Sequence, residues 1–387
     1  IMKVAIVYPY PPPIQNQKPV LPEGMTSGGG ETYPLSLAKA FASKGIQTDY
    51  ISGKLQGISA SELHLSDYLT VKYLPVYGEQ SIMRTFAPKL LPLLVKGKYD
   101  LINSNQLPLL FTTAAGIASR LTNARHVVSH HGFAPRFNRK STVLAYLNSL
   151  FVDNVTVQNS VAAQLYEGII PQRKMVTIQN GLDTSRFHEV KINSSLAKQY
   201  DGSFVVGYVG RLLPSKGLDT LVMAVKNLYA RDNNIRLILA GTGPFEEYLR
   251  GLIERESLSH VVSLVGFVPD EDLNGYYSLF DVFVLPSVYT DVFGNRHTEP
   301  EAFGLVLGEA MLCNTPTIAT NVGGVPDWIH DGVNGYLVEP SDVTGLTEKI
   351  SWVMNNPQSD IINKSREVIE SKYSIQSMVQ KYLELLT

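Results

Sequence analysis

The sequence predicts two doubly wound α/β domains, each built on a parallel sheet. The chain has 387 residues, which is the length of about two domains. Short apolar runs alternate with longer stretches of helical periodicity, and this alternation is typical of parallel sheets covered by helices on both faces. A polar stretch without periodicity, at about 184–202, divides the alternation into two series. We expect the carboxyl edges of the two sheets to face each other across a cleft.

The first series is expected to form a domain over 1–185. Its apolar runs are short and bounded by turn residues, which is typical of buried strands. A helix is predicted over Tyr33–Lys44. The predicted strands are Lys3–Tyr8, Thr48–Ser52, Leu101–Ile102, His126–His130, Val155–Gln158 and Met175–Gln179.

The second series is expected to form a domain over 200–370. Its first helix is predicted over Leu218–Ala230, where the apolar residues recur on one face. The predicted strands are Phe204–Val209, Arg236–Ala240, Val262–Val265, Val282–Leu285, Thr317–Thr320 and Gly335–Val338. The tail, 371–387, contains a helix over Ser374–Leu386, which is expected to pack on its own domain or to cross back to the first.

Composition excludes several classes of protein. Apolar residues make up 44% of the chain and charged residues 18%, which suits two packed cores and argues against disorder. The net charge of -2 offers no basic field for nucleic acid. A single cysteine, Cys313, rules out an intramolecular disulfide and fits the cytoplasm. Met2–Tyr8 reads as a strand rather than a signal peptide, and no apolar run approaches a membrane span, so any membrane contact is expected to be peripheral.

A glycine-rich segment follows the first predicted strand after a long Pro-rich loop. Gly28, Gly29 and Gly30 stand before Glu31, where a helix begins. Glycines let backbone N–H groups approach a ligand closely, and a helix N-terminus favours an anion. Phosphate is therefore the expected ligand. The dinucleotide fingerprint requires a further glycine where this chain has Tyr33, which disfavours a nicotinamide cofactor. The alternative is a flexible turn.

Two cations mark the first strand-to-helix turn of the second domain. Arg211 and Lys216 stand five residues apart, directly after Phe204–Val209. Fixed cations beside a helix N-terminus suit a diphosphate, above all one that gains charge as it leaves. The alternative is a solvated basic turn.

Two carboxylates stand eight residues apart around a Phe-Gly turn. Glu309 is predicted within an apolar helix, where it accepts hydrogen bonds from ribose hydroxyls, and Glu301 in the preceding loop, nearer a sugar. The first-turn amides of Phe303, Gly304 and Leu305 are expected to be free for sugar hydroxyls or phosphate. The alternative is one capping and one exposed glutamate.

His131 follows a predicted strand of the first domain and precedes a glycine. A histidine at the carboxyl end of a strand can donate a hydrogen bond to a sugar, and of the adjacent pair His130 and His131 the second is predicted to do so. The alternative is a structural hydrogen-bonding role. No cluster of histidine, cysteine and carboxylate stands at metal-ligand spacing, so no metal or other cofactor is expected.

Taken in order, these residues resemble the retaining GT-B glycosyltransferases of family 4 over nearly the whole chain. The Glu-x7-Glu of Glu301 and Glu309, with the Arg211 and Lys216 pair, is the most specific part of the resemblance. The matching segments are Gly28–Glu31, His131–Gly132, Asn180–Asp183, Gly210–Gly217, Gly241–Pro244, Gly266–Pro269, Glu301–Glu309, Gly323–Asp327 and Asp331–Gly335.

The resemblance implies a hexose-type sugar donated by a nucleotide diphosphate, with UDP expected, and retention of configuration without a covalent enzyme carboxylate. The leaving phosphate is then expected to help deprotonate the acceptor. Arg211 and Lys216 would hold the diphosphate and Glu309 the ribose, with backbone at Val268 against the base. The residues expected at the transferred sugar are Glu301, Phe303, Gly304, Leu305 and His131, and the phosphate-binding glycines are Gly29 and Gly30.

Two segments depart from the family pattern. The Pro-rich loop over 9–27 is long, so the family pattern does not predict this side of the acceptor site. An insertion over 289–298 precedes Glu301, and it is expected to cover either the donor sugar or the acceptor entrance.

Two other functions remain open at the level of sequence. One is a nucleotide-sugar 2-epimerase on the same fold, and the other is a non-catalytic nucleotide-sugar-binding module. Polysaccharide assembly is the expected process, with an acceptor that is a lipid-linked glycan or a small molecule. A basic, leucine-rich segment over Met83–Lys98, with Arg136, Arg139 and Lys140 after His131, predicts peripheral contact with an anionic membrane.

Overall fold

The computed structural model describes residues 2–12, 29–54, 61–78, 85–131 and 139–386. The strands are β1 (Lys3–Val7), β2 (Gln47–Lys54), β3 (Glu62–Ser66), β4 (Leu69–Pro75), β5 (Leu101–Asn105), β6 (Arg125–Ser129), β7 (Asn154–Val157), β8 (Met175–Thr177), β9 (Phe204–Val209), β10 (Ile235–Ala240), β11 (Val262–Gly266), β12 (Val282–Leu285), β13 (Thr317–Thr320) and β14 (Tyr336–Val338).

The helices are α1 (Gly29–Ser43), α2 (Leu90–Gly97), α3 (Leu110–Thr122), α4 (Arg139–Ser149), α5 (Ser160–Leu165), α6 (Ser194–Gln199), α7 (Leu218–Tyr229), α8 (Glu246–Arg255), α9 (Leu273–Leu279), α10 (Leu305–Leu312), α11 (Val343–Asn355), α12 (Ser359–Val368) and α13 (Ile375–Glu384). Short 3-10 turns cover Gln172–Lys174, Pro214–Lys216 and Val325–Asp327, and a π turn covers Ile369–Tyr373.

The chain divides into two compact units. The first contains Ile1–Asn180 with Ile375–Thr387, and the second contains Gly181–Ser374. The polar segment at about 184–202, which was predicted to separate the two domains, therefore lies within the second unit. The tail divides at Ser374, and its last helix, α13, packs on α1 of the first unit.

The first unit is built on a sheet with the order β3-β4-β2-β1-β5-β6-β7-β8. All neighbours are parallel except β3, which pairs antiparallel with β4. Alternate residues of β1 enter different cores because successive side chains of a strand point to opposite faces. Val4 and Ile6 pack with α1 and α13, whereas Ala5 and Val7 pack with α2 and α3.

The second unit is built on a parallel sheet with the order β11-β10-β9-β12-β13-β14. The strands of this sheet are short and mainly apolar, as expected when helices cover both faces of a parallel sheet. Helices α7 and α11 pack on each other, as do α10 and α12. The reversal of strand order at β9 and β12 places the turns after these two strands at the switch point, where ligands of such sheets bind.

The segment predicted to contact a membrane does not present its leucines. Leu90 and Leu94 of α2 are buried, and Leu91, Leu93 and Val95 pack on the same core as β1. The lysines Lys89, Lys96 and Lys98 are exposed, so α2 is an ordinary surface helix with solvated cations. Met83, Arg84 and Arg136 lie outside the described residues. Within the described part of the chain, no helix is long and apolar enough to cross a bilayer.

Candidate functional site

The turn after β9 brings both predicted cations to the switch point of the second sheet. Arg211 stands two residues after β9, and Lys216 ends the 3-10 turn Pro214–Lys216. Gly217 then adopts a φ of 61°, and a Cβ at this position would lie 2.1 Å from the carbonyl oxygen of Pro286, just beyond β12. Only glycine therefore allows the turn after β9 to lie this close to the end of β12.

Lys216 contacts Glu301 directly. The Lys216 Nζ lies 2.6 Å from Glu301 Oε2 and 3.4 Å from the carbonyl oxygen of Pro300. The Ser287 hydroxyl donates to the same carboxylate oxygen at 3.3 Å. The two charged side chains are 18% and 14% exposed, so this is a mostly buried ion pair at the edge of the sheet.

Arg211 and Glu301 both act on the buried hydroxyl of Tyr208. Burial raises the pKa of Tyr208, the Glu301 carboxylate raises it further, and the Arg211 guanidinium opposes them. The Tyr208 hydroxyl donates to the Arg211 carbonyl at 2.8 Å, which fixes the start of the turn. Among the described residues, Arg211 has no carboxylate within ion-pair distance, so its charge is available to an anion.

Glu301 is positioned through its backbone. Its carbonyl oxygen accepts a hydrogen bond from the Gly324 amide at 2.9 Å. Gly323 adopts a φ of 55°, and a Cβ there would lie 1.9 Å from that same carbonyl oxygen. The Gly323 amide donates in turn to the hydroxyl of Tyr289 at 2.9 Å. The glycine pair after β13 thus supports the backbone of the Glu301 loop.

Phe303 anchors the following turn in the core. Its ring is 2% exposed and stacks on Trp328 with centroids 4.7 Å apart, while its carbonyl oxygen accepts from Trp328 Nε1 at 2.7 Å. Gly304 adopts a φ of 77° and Leu305 begins α10. Because the Phe303 side chain is buried, Phe303 can offer a ligand only its backbone groups.

Glu309 lies one turn into α10 and is half-buried. Its carboxylate accepts a hydrogen bond from the hydroxyl of Tyr277, on α9, at 2.7 Å. Burial raises the pKa of Glu309, and the Tyr277 hydrogen bond and the Arg186 guanidinium oppose that shift. Sequence reasoning missed Tyr277, because nothing in the sequence indicates that a residue of α9 faces α10.

The segment after β11 contains Val268, which is buried. Phe267 beside it is 74% exposed, an aromatic side chain that the sequence argument overlooked. Asp270 and Asp272 follow and form an Asp-x-Asp sequence, which the expectation of metal independence also overlooked. Asp270 forms an ion pair with Arg186 at 2.9 Å. Within the described residues, no three histidine, cysteine or carboxylate side chains are grouped so that they could hold a metal ion.

In the first unit, Gly29 and Gly30 are the first residues of α1. Gly28 lies outside the described residues, as does most of the Pro-rich loop at 9–27. Tyr33, in the second turn of α1, is buried and stacks on the ring of His131 with centroids 3.5 Å apart. The glycine-rich segment and His131 therefore belong to one local cluster of the first unit.

The two adjacent histidines after β6 have different partners. His130 Nδ1 lies 2.8 Å from the hydroxyl of Tyr166, and His131 Nδ1 lies 3.1 Å from Gln158 Nε2. Gln158 Nε2 also donates to Asn180 Oδ1 at 2.7 Å. Burial lowers the pKa of His131 well below its usual range, and His130 lowers it further.

This arrangement makes His131 a neutral hydrogen-bond donor. Because the Gln158 amide donates to Nδ1, the proton of the neutral imidazole resides on Nε2. That Nε2 is buried and has no hydrogen-bond partner among the described residues, as is also true of His130 Nε2. A buried N–H without a partner costs free energy unless a ligand or water accepts it, so His131 Nε2 is a candidate ligand contact.

The last helix supports the same cluster. The Tyr382 hydroxyl, on α13, lies 2.9 Å from the Tyr33 hydroxyl, 2.7 Å from Ser129 Oγ and 2.9 Å from Thr156 Oγ1. All of these hydroxyls are buried, so the ring of Tyr33 is held by a connected hydrogen-bond network that begins in the tail. Sequence reasoning missed this link, because Tyr33 and Tyr382 are 349 residues apart.

The insertion at 289–298 is stabilised by hydrogen bonds among its own residues. Asp291 is 6% exposed and accepts hydrogen bonds from the amides of Phe293 and Asn295 and from His297 Nε2 at 2.9 Å. Burial works to raise the pKa of Asp291, but these hydrogen bonds outweigh it and the pKa is lowered. The Phe293 ring packs edge-on against Tyr248. The loop also lines a cavity of about 290 Å³, and no predicted donor residue lines that cavity.

Solved structures define the class of this fold. Alr3699/HepE from Anabaena, solved in complex with UDP, superposes with a TM-score of 0.74 at 19% identity, covering 100% of this chain and 99% of its own. A sucrose-phosphate synthase from Thermosynechococcus elongatus superposes with a TM-score of 0.72 at 22% identity, covering 100% and 98%. The two Rossmann-like units and these structural neighbours identify the fold as GT-B.

Two family models together match most of the chain: Glycosyl transferases group 1 matches residues 193–374, and Glycosyltransferase Family 4 matches 27–186. The putative colanic acid biosynthesis glycosyltransferase WcaL from Salmonella typhimurium is 26% identical over 270 residues, which are 68% of this chain and 61% of the relative. The poly(ribitol-phosphate) alpha-N-acetylglucosaminyltransferase of Staphylococcus aureus is 29% identical over 213 residues, 54% and 40% of the two chains. The chain spans about half the length of the curated relatives it matches.

Proposed function

We propose that the protein is a metal-independent, retaining glycosyltransferase that moves a hexose-type sugar from a UDP-type nucleotide diphosphate to a hydroxyl of a glycan. The observation that carries the proposal is Arg211, which has no carboxylate within ion-pair distance in the described part of the chain, beside the Lys216–Glu301 ion pair at the switch point of the second sheet. The UDP in the HepE structure supports the choice of nucleotide, and the colanic acid name of WcaL supports polysaccharide assembly.

The cations act on the diphosphate. Arg211 presents a planar fork of N–H donors, which suits two phosphate oxygens at once. A diphosphate carries more negative charge than a carboxylate and therefore competes with Glu301 for the Lys216 ammonium. Both cations then stabilise the charge that grows on the leaving group, and this charge neutralisation takes the place of a divalent ion.

The glutamates act on hydroxyls. Once Lys216 turns to the phosphate, Glu301 is free to accept hydrogen bonds from the transferred sugar. Glu309, oriented by Tyr277, accepts from the ribose, and the backbone at Val268 contacts the base. The amides of the Phe303–Leu305 turn complete the contacts in the second unit.

The first unit contributes a neutral donor and a second set of backbone amides. His131 Nε2–H donates to a hydroxyl of the transferred sugar, and the amides of Gly29 and Gly30 approach the phosphate at the start of α1. With its pKa lowered, His131 holds this proton at neutral pH and does not act as a general base.

In the transfer itself, the bond between C1 of the donor sugar and the β-phosphate oxygen breaks as the bond between C1 and the acceptor oxygen forms. The proton of the acceptor hydroxyl passes to the departing phosphate oxygen, so the products are the glycoside and the nucleoside diphosphate. No enzyme carboxylate forms a bond to the sugar, and the new bond forms on the face that the phosphate leaves.

The test begins with a panel of nucleotide sugars. A UDP-sugar is expected to raise Tm and to be hydrolysed slowly without acceptor, and NMR of the product with acceptor is expected to show the donor's anomeric configuration. Turnover is expected to persist in excess chelator; loss of turnover with rescue by a divalent ion would contradict metal independence. Conversion of the donor to its 2-epimer without acceptor would instead identify an epimerase. Binding of the donor without any turnover would identify a binding module.

A further inference from the structure

The insertion at 289–298 is a short hairpin with its own turn. Asp291 and Gly294 stand at the first and fourth positions of that turn, where these residue types are common. The Gly294 amide donates to the Asp291 carbonyl oxygen at 2.9 Å, and Gly294 adopts a φ of 82°, a region that favours glycine. The Phe293 ring lies against Tyr248 of α8, with centroids 5.3 Å apart. The hairpin is therefore held by α8 as well as by its own hydrogen bonds.

Tyr289 stands at the base of this hairpin. Its carbonyl oxygen accepts from the His297 amide at 2.8 Å, and an antiparallel bridge joins Thr290 to Arg296 beside it. The opposite arm of the hairpin thus fixes the backbone of Tyr289. The Tyr289 hydroxyl leaves the hairpin and accepts a hydrogen bond from the Gly323 amide at 2.9 Å, in the turn after β13. The hairpin therefore supplies the partner of a backbone N–H that belongs to a different loop.

Gly323 lies directly against the backbone of Glu301. A Cβ at Gly323 would lie 1.9 Å from the Glu301 carbonyl oxygen, so no space separates the two backbones. The Gly324 amide donates to that same oxygen at 2.9 Å. A shift of the turn after β13 therefore moves Glu301, the residue whose carboxylate is proposed to bind the transferred sugar.

The end of β12 contacts Glu301 at a second point. The Ser287 hydroxyl, two residues before Tyr289, donates to Glu301 Oε2 at 3.3 Å. The Ser287 carbonyl oxygen accepts from the Thr320 hydroxyl at 2.6 Å, which joins the end of β12 to the end of β13. The segment 287–289 therefore supports Glu301 at its carboxylate directly and at its carbonyl oxygen through the glycine turn.

We propose that Tyr289 is a positioning residue, which holds Glu301 in place for the transferred sugar through Gly323. The proposal rests on the proposed function, in which Lys216 leaves Glu301 for the diphosphate. The orientation of Glu301 then depends on Ser287 at its carboxylate and on the glycine pair after β13 at its carbonyl oxygen. The insertion thus acts through the backbone of Glu301 rather than as a cover over the donor or the acceptor.

Tyr289→Phe tests this role, because it removes the hydroxyl and keeps the ring. In the full chain, hydrogen exchange of the peptide that contains Gly323 is expected to accelerate about fivefold, the effect of one lost hydrogen bond. Calorimetric titration is expected to show unchanged affinity for UDP and an affinity for the preferred UDP-sugar that is lower by about fivefold, because only the sugar contacts Glu301. A merely structural role would weaken the binding of both ligands together.

Tyr229→Phe is the matched control in the same unit. Tyr229 ends α7, and its hydroxyl also has a hydrogen-bond partner, since it lies 2.9 Å from His260 Nε2. Tyr229→Phe is expected to change neither affinity. In a Glu301→Ala background, Tyr289→Phe is expected to cause no further loss of affinity for the UDP-sugar, because the carboxylate that it positions is absent.

Three outcomes would overturn the proposal: unchanged exchange at Gly323 in Tyr289→Phe, an equal loss of affinity for UDP and the UDP-sugar, or a full additional loss in the Glu301→Ala background. Failure of the proposed function gives a different result. If wild type binds no UDP-sugar while Tyr289→Phe still accelerates exchange at Gly323, the sugar-binding role of Glu301 is wrong and the contact between Tyr289 and Gly323 stands.

Discussion

The candidate site of the second unit and the buried histidines of the first unit differ in charge. The second unit gathers ionised groups at the edge of its sheet, where Arg211, Lys216 and Glu301 are only partly buried. The first unit buries His126, His130 and His131 and keeps them neutral, because burial lowers the pKa of each. The candidate residues of the second unit are therefore ionised, whereas those of the first unit are neutral hydrogen-bonding groups.

Acid is expected to produce the largest difference in stability between the two units. The pKa of His126 and of His130 is lowered to about 4, below the usual 6.5, so the unfolded chain binds these protons first as the pH falls. The stability that they contribute is complete above about pH 6.5 and is lost toward pH 4, by roughly 3 kcal/mol each. In the second unit, burial raises the pKa of Asp281 and Glu309, so protonation of these groups favours the folded state as the pH falls.

Hydrogen exchange of the full chain, corrected for the intrinsic rate at each pH, measures this difference in stability. Peptides of the first unit are expected to lose protection between pH 6.5 and 4 before those of the second. His130→Gln should flatten the response of the first unit, whereas His260→Gln, an exposed position in the second unit, should not change it. Simultaneous loss of protection in both units would show that they unfold as one cooperative body.

Arg211→Ala is expected to have the largest effect on turnover. Loss of one preorganised cation at a leaving group costs about 3 kcal/mol, or about a hundredfold in kcat. Steady-state kinetics with a UDP-sugar measure it, with Arg250→Ala on exposed α8 as the matched control that leaves kcat unchanged. Near-normal kcat in Arg211→Ala would remove the diphosphate role from the turn after β9.

Lys216→Ala is expected to affect stability as well as turnover. It leaves the Glu301 carboxylate mostly buried without its partner at 2.6 Å, which is expected to cost about 2 kcal/mol. Glu301→Gln in the same chain removes that charge, so the double variant is expected to recover part of the Tm while remaining inactive. Thermal unfolding of the four proteins closes the cycle. If the double variant is no more stable than Lys216→Ala, the two side chains do not interact in solution.

Much of the fold follows from the sequence because its signals are local. Apolar runs such as Phe204–Val209 and Val282–Leu285 match β9 and β12 residue for residue, since nothing competes with burial on both faces of a parallel sheet. β3 and β4 were not predicted. β3 is an edge strand whose exposed and half-buried residues alternate in Glu62–Ser66, and the antiparallel pair has no apolar run to mark it.

Long-range contacts explain what the sequence did not reveal in the site. The motifs identified Arg211, Lys216 and Glu301 but not that Lys216 and Glu301, 85 residues apart, form an ion pair. They identified His131 but not Tyr33, Gln158 or Tyr382 around it, because each arrives on a different element. The leucine-rich α2, whose leucines are buried or pack on the core, shows the same limit, since composition does not determine which face of a helix is buried.

Gln158→Glu is expected to have the smallest of these effects on turnover and the most specific. In wild type, the Gln158 amide donates to His131 Nδ1, which leaves the proton on Nε2. A carboxylate in its place accepts from Nδ1–H instead, so the neutral ring presents a bare Nε2 and its pKa rises toward neutrality. Turnover at pH 8 is expected to fall about tenfold, the worth of one hydrogen bond to the sugar, and to recover partly near pH 6 as both nitrogens become protonated. Gln158→Leu serves as the control, because it removes the orienting group without supplying an acceptor and should lower turnover at both pH values. A Gln158→Glu profile parallel to that of wild type would mean that the His131 tautomer has no part in the reaction, and the neutral role assigned to the first unit would then have to rest on the backbone amides of Gly29 and Gly30 alone.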